Sequence, residues 1–138
     1  MHNLQRFIDA QATAYPTALS EIMSGRKRSH WMWYIFPQIQ GLGFSEVSKF
    51  YALQNLTEAE AYLNHPILGK RLIEICQELL NLVDTDATEI FSFPDDLKLK
   101  SSMTLFSSIP DTIEVFQLVL DEFFNGSKDA KTLEIIGK

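Results

Sequence analysis

This sequence predicts an all-α fold: a compact multi-helical bundle of about seven or eight helices, several short, with no significant sheet. Three observations predict it. Apolar residues recur at three- and four-residue spacing along most of the 138-residue chain. Cap-forming Asn, Ser, Thr and Asp residues precede those runs, and Pro or Gly follows them. No stretch alternates convincingly; Phe44 to Phe50 comes nearest, and its spacing fits a helix better. There is no repeat, low-complexity tract or linker, so residues 1–138 are expected to form one domain.

Taken in order, Asn3 is placed to cap a first helix that uses Leu4, Phe7, Ile8 and Gln11. Tyr15-Pro16 is expected to interrupt it, because Pro disfavours the α conformation in the residue before it. Pro16 then fits the first turn of a second helix with Leu19, Ile22 and Met23 inward, ended by Gly25. Ser29 suits the cap of a short helix through Phe36, stopped by Pro37, and Gln38 to Gly43 reads as a loop. Ser45 opens a helix over Val47, Phe50 and Tyr51. Thr57-Glu58-Ala59-Glu60 has the form of a capping box with Thr57 as cap, for a helix ending at Asn64-His65-Pro66.

The clearest periodicity predicts the longest helix over residues 66–83, with Leu68, Leu72, Ile75, Cys76, Leu79, Leu80 and Val83 on its inner side. Asp86 or Thr85 caps a short turn reaching Ile90-Phe91. A helix over 95–107 follows Pro94, with Asp95 and Asp96 at its positive dipole end. Asp111 is the expected cap of a helix burying Ile113, Phe116, Leu120, Phe123 and Phe124, closed by Asn125-Gly126. Asp129 begins a final turn with Leu133 and Ile136.

Composition narrows the function classes. No run of about eighteen apolar residues predicts a membrane span, and Met1 to Arg6 lacks the apolar block of a secretory signal. Cys76 is the lone cysteine, which excludes an internal disulfide and suits a reducing cytoplasm. The net charge of −6 disfavours bulk nucleic-acid binding. Residues 1–71 nevertheless hold seven Lys/Arg against five Asp/Glu, whereas residues 72–138 hold five against thirteen. A local anion site in the first half is compatible with that split.

Two constellations carry candidate chemistry. In the first, Arg26, Lys27, His30, Trp31, Trp33 and Gln38 combine cations with aromatic faces that can stack a planar ring. The alternative is that the indoles anchor the core and Arg26-Lys27-Arg28 is a solvated helix end. In the second, Lys98, Ser101 and Ser102 share a helix face, while Leu99, Met103 and Phe106 turn inward. A Lys beside two hydroxyls can hold phosphate or carboxylate; the alternative is a polar outer face. Were the protein an enzyme, His30, Asp95 or Asp96 would be its acid–base group, although the two Asp suit helix capping better. His30 and His65 are too few for a metal set, and neither a P-loop nor a dinucleotide glycine fingerprint is present. No metal and no cofactor are therefore expected.

Several blocks together resemble an uncharacterised bacterial family catalogued as domain of unknown function 1810. They run from Gly25-Arg26-Lys27-Arg28-Ser29-His30-Trp31-Met32-Trp33 into Phe36-Pro37-Gln38. Glu58-Ala59, Tyr62-Leu63, His65-Pro66, Leu68-Gly69 and Arg71-Leu72 continue the pattern. Asp95-Asp96, Lys98, Ser101 to Phe106 and Asp129 to Leu133 complete it. The resemblance implies a small, cytoplasmic, mainly helical protein without an established activity. The label calpastatin, sometimes attached to such proteins, names a disordered repeat inhibitor and does not suit this composition. A fainter likeness to the helical hydrolases named for NAD and ADP-ribose implies an enzyme alternative.

The reading that results is a pocket for a small anionic ligand, phosphate-containing and nucleotide- or ADP-ribose-like. Its phosphate would meet Arg26, Lys27 or Lys98 and its planar part Trp31 or Trp33. An interaction module with an aromatic groove and a hydrolase of ADP-ribose or N-glycosidic substrates are the alternatives. A monomer or weak homodimer is expected.

Overall fold

A computed structural model describes residues 3–138, and nine helices are found among them. The first four are α1 (Gln5–Met23), α2 (Met32–Ile35), α3 (Glu46–Phe50) and α4 (Leu56–Asn64). Then come α5 (Leu68–Leu80), α6 (Ala87–Phe91), α7 (Asp95–Ser107), α8 (Val115–Phe124) and α9 (Ala130–Ile136). No strand occurs among the described residues; one isolated parallel bridge joins Ile39 to Leu53. None of these helices is long and apolar enough to cross a membrane.

Pro16 does not break the first helix, and α1 is the longest of the nine. Phe7, Gln11, Tyr15, Ala18 and Ile22 form one buried stripe that passes the proline. An interior Pro costs about 3 kcal/mol. Each fully buried large apolar side chain returns about 1.5–3 kcal/mol, so the stripe outweighs it. Met23 faces solvent, contrary to expectation. Val83 lies beyond the end of α5 and is 100% exposed, so the periodic pattern ran three residues too far.

Caps account for most of the other boundaries. Ser45, Asp86 and Asp129 cap α3, α6 and α9 as expected. Asn125 takes the left-handed conformation that stops α8. The capping box of α4 sits two residues early: Asn55 accepts from the Glu58 N–H, and Glu58 reaches back to the Gln54 N–H at 2.8 Å. Thr57 is inside the helix instead. His65 turns its Nδ1 onto the N–H groups of Ile67 and Leu68, which makes it the structural start of α5. Asp111 caps nothing; it adopts positive φ, and Ile113 beside it is exposed.

Helix α7 lies at the centre, packed against α4, α6, α8 and α9. Its expected polar outer face is not outside: Ser101, Ser102 and Thr104 are buried together with Leu99, Met103, Leu105 and Phe106. Small hydroxyls suit this position because two of them return their hydrogen bonds to the helix. Ser101 Oγ donates to the Leu97 carbonyl and Thr104 Oγ1 to that of Lys100. Around α7 the rings of Tyr62, Phe106 and Phe116 pack in sequence, tilted to one another, at 5.6 and 5.5 Å between centroids. Helices α4 and α5 approach so closely at Gly69 that a Cβ there would lie 1.8 Å from the Leu63 carbonyl oxygen.

Candidate functional site

The aromatic block begins as structure. Ser29 does not cap α2; its hydroxyl and N–H both bind the Glu21 carboxylate, at 2.6 and 3.0 Å. The Arg28 N–H and the Trp31 Nε1–H reach the same carboxylate at 2.8 Å each. Burial alone would raise the Glu21 pKa. Four donors outweigh it and hold the group at about 2. Trp31 is thereby fixed and 1% exposed, its ring packed on Phe36 and Phe91. No ligand can stack on it.

Beyond this hub lies a chain of charges and rings. Lys27 Nζ sits 5.0 Å from the Trp31 ring centre, pairs with Asp95 at 2.8 Å and donates to the Ser29 carbonyl at 2.5 Å. Asp95 in turn holds Lys98 at 3.0 Å, and the Lys98 ammonium lies 4.9 Å from the Trp33 ring centre. Burial pushes the Asp95 pKa upward, but the hydrogen bonds from Lys27 and Lys98 win and leave it below the ordinary carboxylate value. Asp95 is thus an ionised counter-ion rather than a proton donor at neutral pH. Two cations share one carboxylate, so this chain carries one positive charge in excess. The Lys27 side chain is 7% exposed and that of Lys98 25%, so the excess is available at Lys98.

Lys98 opens into a cleft of about 450 Å³. Trp33, Gln38 and Ser101 line it as well, so the cleft unites four of the residues picked out by sequence. The others stand apart from its wall. Arg26 is exposed, and its N–H closes the end of α1 on the Glu21 carbonyl. Lys27 and Asp95 lie behind Lys98, while Trp31 is enclosed. His30 is exposed elsewhere, and its carbonyl accepts from the Tyr34 hydroxyl. Ser102 is buried with its hydroxyl unpartnered. Asp96 accepts from the Thr88 hydroxyl at 2.7 Å and faces a separate hollow with Asp84, Asp86 and Glu122.

The opposite wall was missed by sequence reasoning. It comes from residues 40–52, which contribute the Gly41–Gly43 turn, Phe44, Ser48, Lys49 and Tyr51. The two glycines were a signal for a loop, but nothing in their spacing says which helix the loop faces. The Ile39–Leu53 bridge decides that, through Gln40 N–H to the Leu53 carbonyl and Leu53 N–H to the Gln38 carbonyl, at 2.8 and 2.9 Å. Lys49 adds a second cation, and Asp129 at the far end is occupied as the cap of α9. Among the described residues no group of three or more His, Cys, Asp or Glu is arranged to hold a metal ion.

Comparison with known proteins places this architecture. The family described as protein of unknown function (DUF1810) matches residues 1–136. The chain belongs to that family. The crystal structure of the conserved hypothetical protein Rv1873 from Mycobacterium tuberculosis is similar, with a TM-score of 0.95 and 42% sequence identity. The similarity covers 98% of this chain and 96% of that one. No curated protein matches.

Proposed function

We propose that the cleft binds a small organic anion, its phosphate at Lys98 and its planar part beside Trp33. The observation that carries this reading is the surplus cation of the Lys27–Asp95–Lys98 chain, presented at a concave surface beside an aromatic face. A positive group held by a partly buried carboxylate is pre-positioned, so little is lost in ordering it when an anion arrives. Lys49 also lines the cleft and offsets the Asp129 carboxylate there, which leaves the Lys98 surplus standing in a chain whose total charge is −6. The volume lies within the range of about 300–1,000 Å³ common to small-molecule sites. Binding rather than turnover is the reading, since the three candidate acid–base residues lie off the cleft wall.

A thermal-shift panel of phosphate, AMP, NAD, ADP-ribose and sugar phosphates tests it. At a hundredfold excess over Kd a ligand adds about 2.7 kcal/mol, which raises Tm by roughly 10 °C. The shift is expected to fall by about half in Lys98→Ala, as a tenfold loss of affinity requires, and to persist in full in Arg26→Ala. No shift with any member of the panel, or equal shifts in both variants, refutes the reading.

A further inference from the structure

The loop over residues 40–52 has a build that the anion site alone does not explain. Its neck is pinned by the Ile39–Leu53 bridge. Its returning limb is tied down: Arg6 Nε donates to the Phe50 carbonyl at 2.8 Å and Arg6 NH2 to that of Ala52 at 3.0 Å. Tyr51 on the same limb packs its ring at a tilt against Tyr34 at 5.1 Å and against Phe7 at 5.8 Å between centroids. The outgoing limb is made differently. It starts at Gly41, whose φ of +105° suits glycine, and passes Gly43. Helix α3 then follows, with no buried residue, and Ser45 and Ser48 close it on themselves. Phe44, between the glycines and the helix, lines the cleft yet is 86% exposed. The base of this limb is anchored, since Leu42 packs against the core and Gly41 lies beside Ile135, but from Gly43 onward it is held chiefly by its own turns. An aromatic ring there, at the edge of a cleft, is suited to move over whatever occupies that cleft.

We infer that residues 43–49 form a flap that closes on the occupied cleft, and that Phe44 selects organic anions with a planar group by covering that group. The inference rests on the anion site proposed above and adds its specificity element. Lys98 supplies the charge recognition common to every phosphate, and Phe44 distinguishes a bare phosphate from one carrying a ring. The flap is compact within itself, because a Cβ on Gly43 would meet Ser48 Oγ at 2.5 Å.

Calorimetric titration with inorganic phosphate, phenyl phosphate and AMP separates the two claims. Phe44→Ala is expected to weaken phenyl phosphate and AMP about tenfold while leaving inorganic phosphate within about twofold. Phe44→Tyr is expected to restore the ring-bearing ligands. Lys98→Ala is expected to weaken all three. Hydrogen exchange should show amides 43–45 slowed by phenyl phosphate but not by inorganic phosphate. If Phe44→Ala affects all three ligands alike or none, or if phenyl phosphate leaves those amides unchanged, the flap is overturned while the Lys98 site stands. If the wild type binds none of the three, the site is overturned and the flap with it. Phe44 is so exposed that its variants should keep the wild-type circular dichroism spectrum, which serves as the folding control.

Discussion

Trp31 and Trp33 stand two residues apart and meet opposite environments. Each has a lysine against its ring, and the two lysines share Asp95. Trp31 faces inward, its N–H spent on Glu21 and its ring packed between Phe36 and Phe91. Trp33 is half-buried and opens onto the cleft. The same residue type therefore anchors a helix junction on one side of the Asp95 chain and lines a candidate ligand site on the other. An aromatic-rich segment with cations is not one functional unit; here it divides at a single carboxylate.

The largest expected effect separates the two indoles by stability. Trp31→Ala should cost about 3–5 kcal/mol, as for other large-to-small changes in a core. Trp33→Ala should cost about 1 kcal/mol, measured by urea denaturation. Equal losses would remove the contrast. Next in size, Glu21→Gln should cost about 2 kcal/mol, because hydrogen bonds to a charged group are replaced by weaker ones. The sign of its pH dependence follows from the lowered pKa. The Glu21 contribution is complete above its ordinary value of 4.5 and is lost as pH falls towards about 2. The wild type should lose stability over that window, and the variant should lack this component.

Smaller again is the effect at Lys98. Lys98→Ala leaves Asp95 paired with Lys27, so stability should change by less than about 1 kcal/mol while phosphate affinity falls about tenfold. Arg26→Ala should change neither by a measurable amount, which denaturation and calorimetry together would check. A large stability loss in Lys98→Ala would move Lys98 to the structural side of the comparison.

Much of the fold was legible because caps and stops are local. The Asp86 and Asp129 caps, the Asn125 stop and the limits of α7 at 95 and 107 all depend on a few adjacent residues. Pro16, Met23 and Val83 were misread because packing across the chain, rather than local preference, sets the continuity of α1 and the end of α5. Ser102 is buried with no partner for its hydroxyl, but the inward turn of Ser101 was hidden for a related reason. A hydroxyl that can bond its own helix reads as polar in sequence and is tolerated when buried in structure.

At the site, Trp33, Gln38, Lys98 and Ser101 were legible from residue type and spacing. Lys49 and Phe44 were not, since an isolated bridge with no strand periodicity brings their loop to the cleft. Glu21 was invisible in another way. It sits on an ordinary-looking helix, and its partners at Arg28, Ser29 and Trp31 reach it only after the chain turns back.

The two indole N–H groups offer the most direct test. The chain has only two tryptophans, so a nitrogen-15 spectrum gives two indole signals that Trp33→Phe assigns. Titration with AMP should move the Trp33 signal to saturation and leave that of Trp31 in place, with the midpoint about tenfold higher in Lys98→Ala. A Trp31 signal that moves as much as that of Trp33, or two signals that stay still at millimolar AMP, would contradict the account.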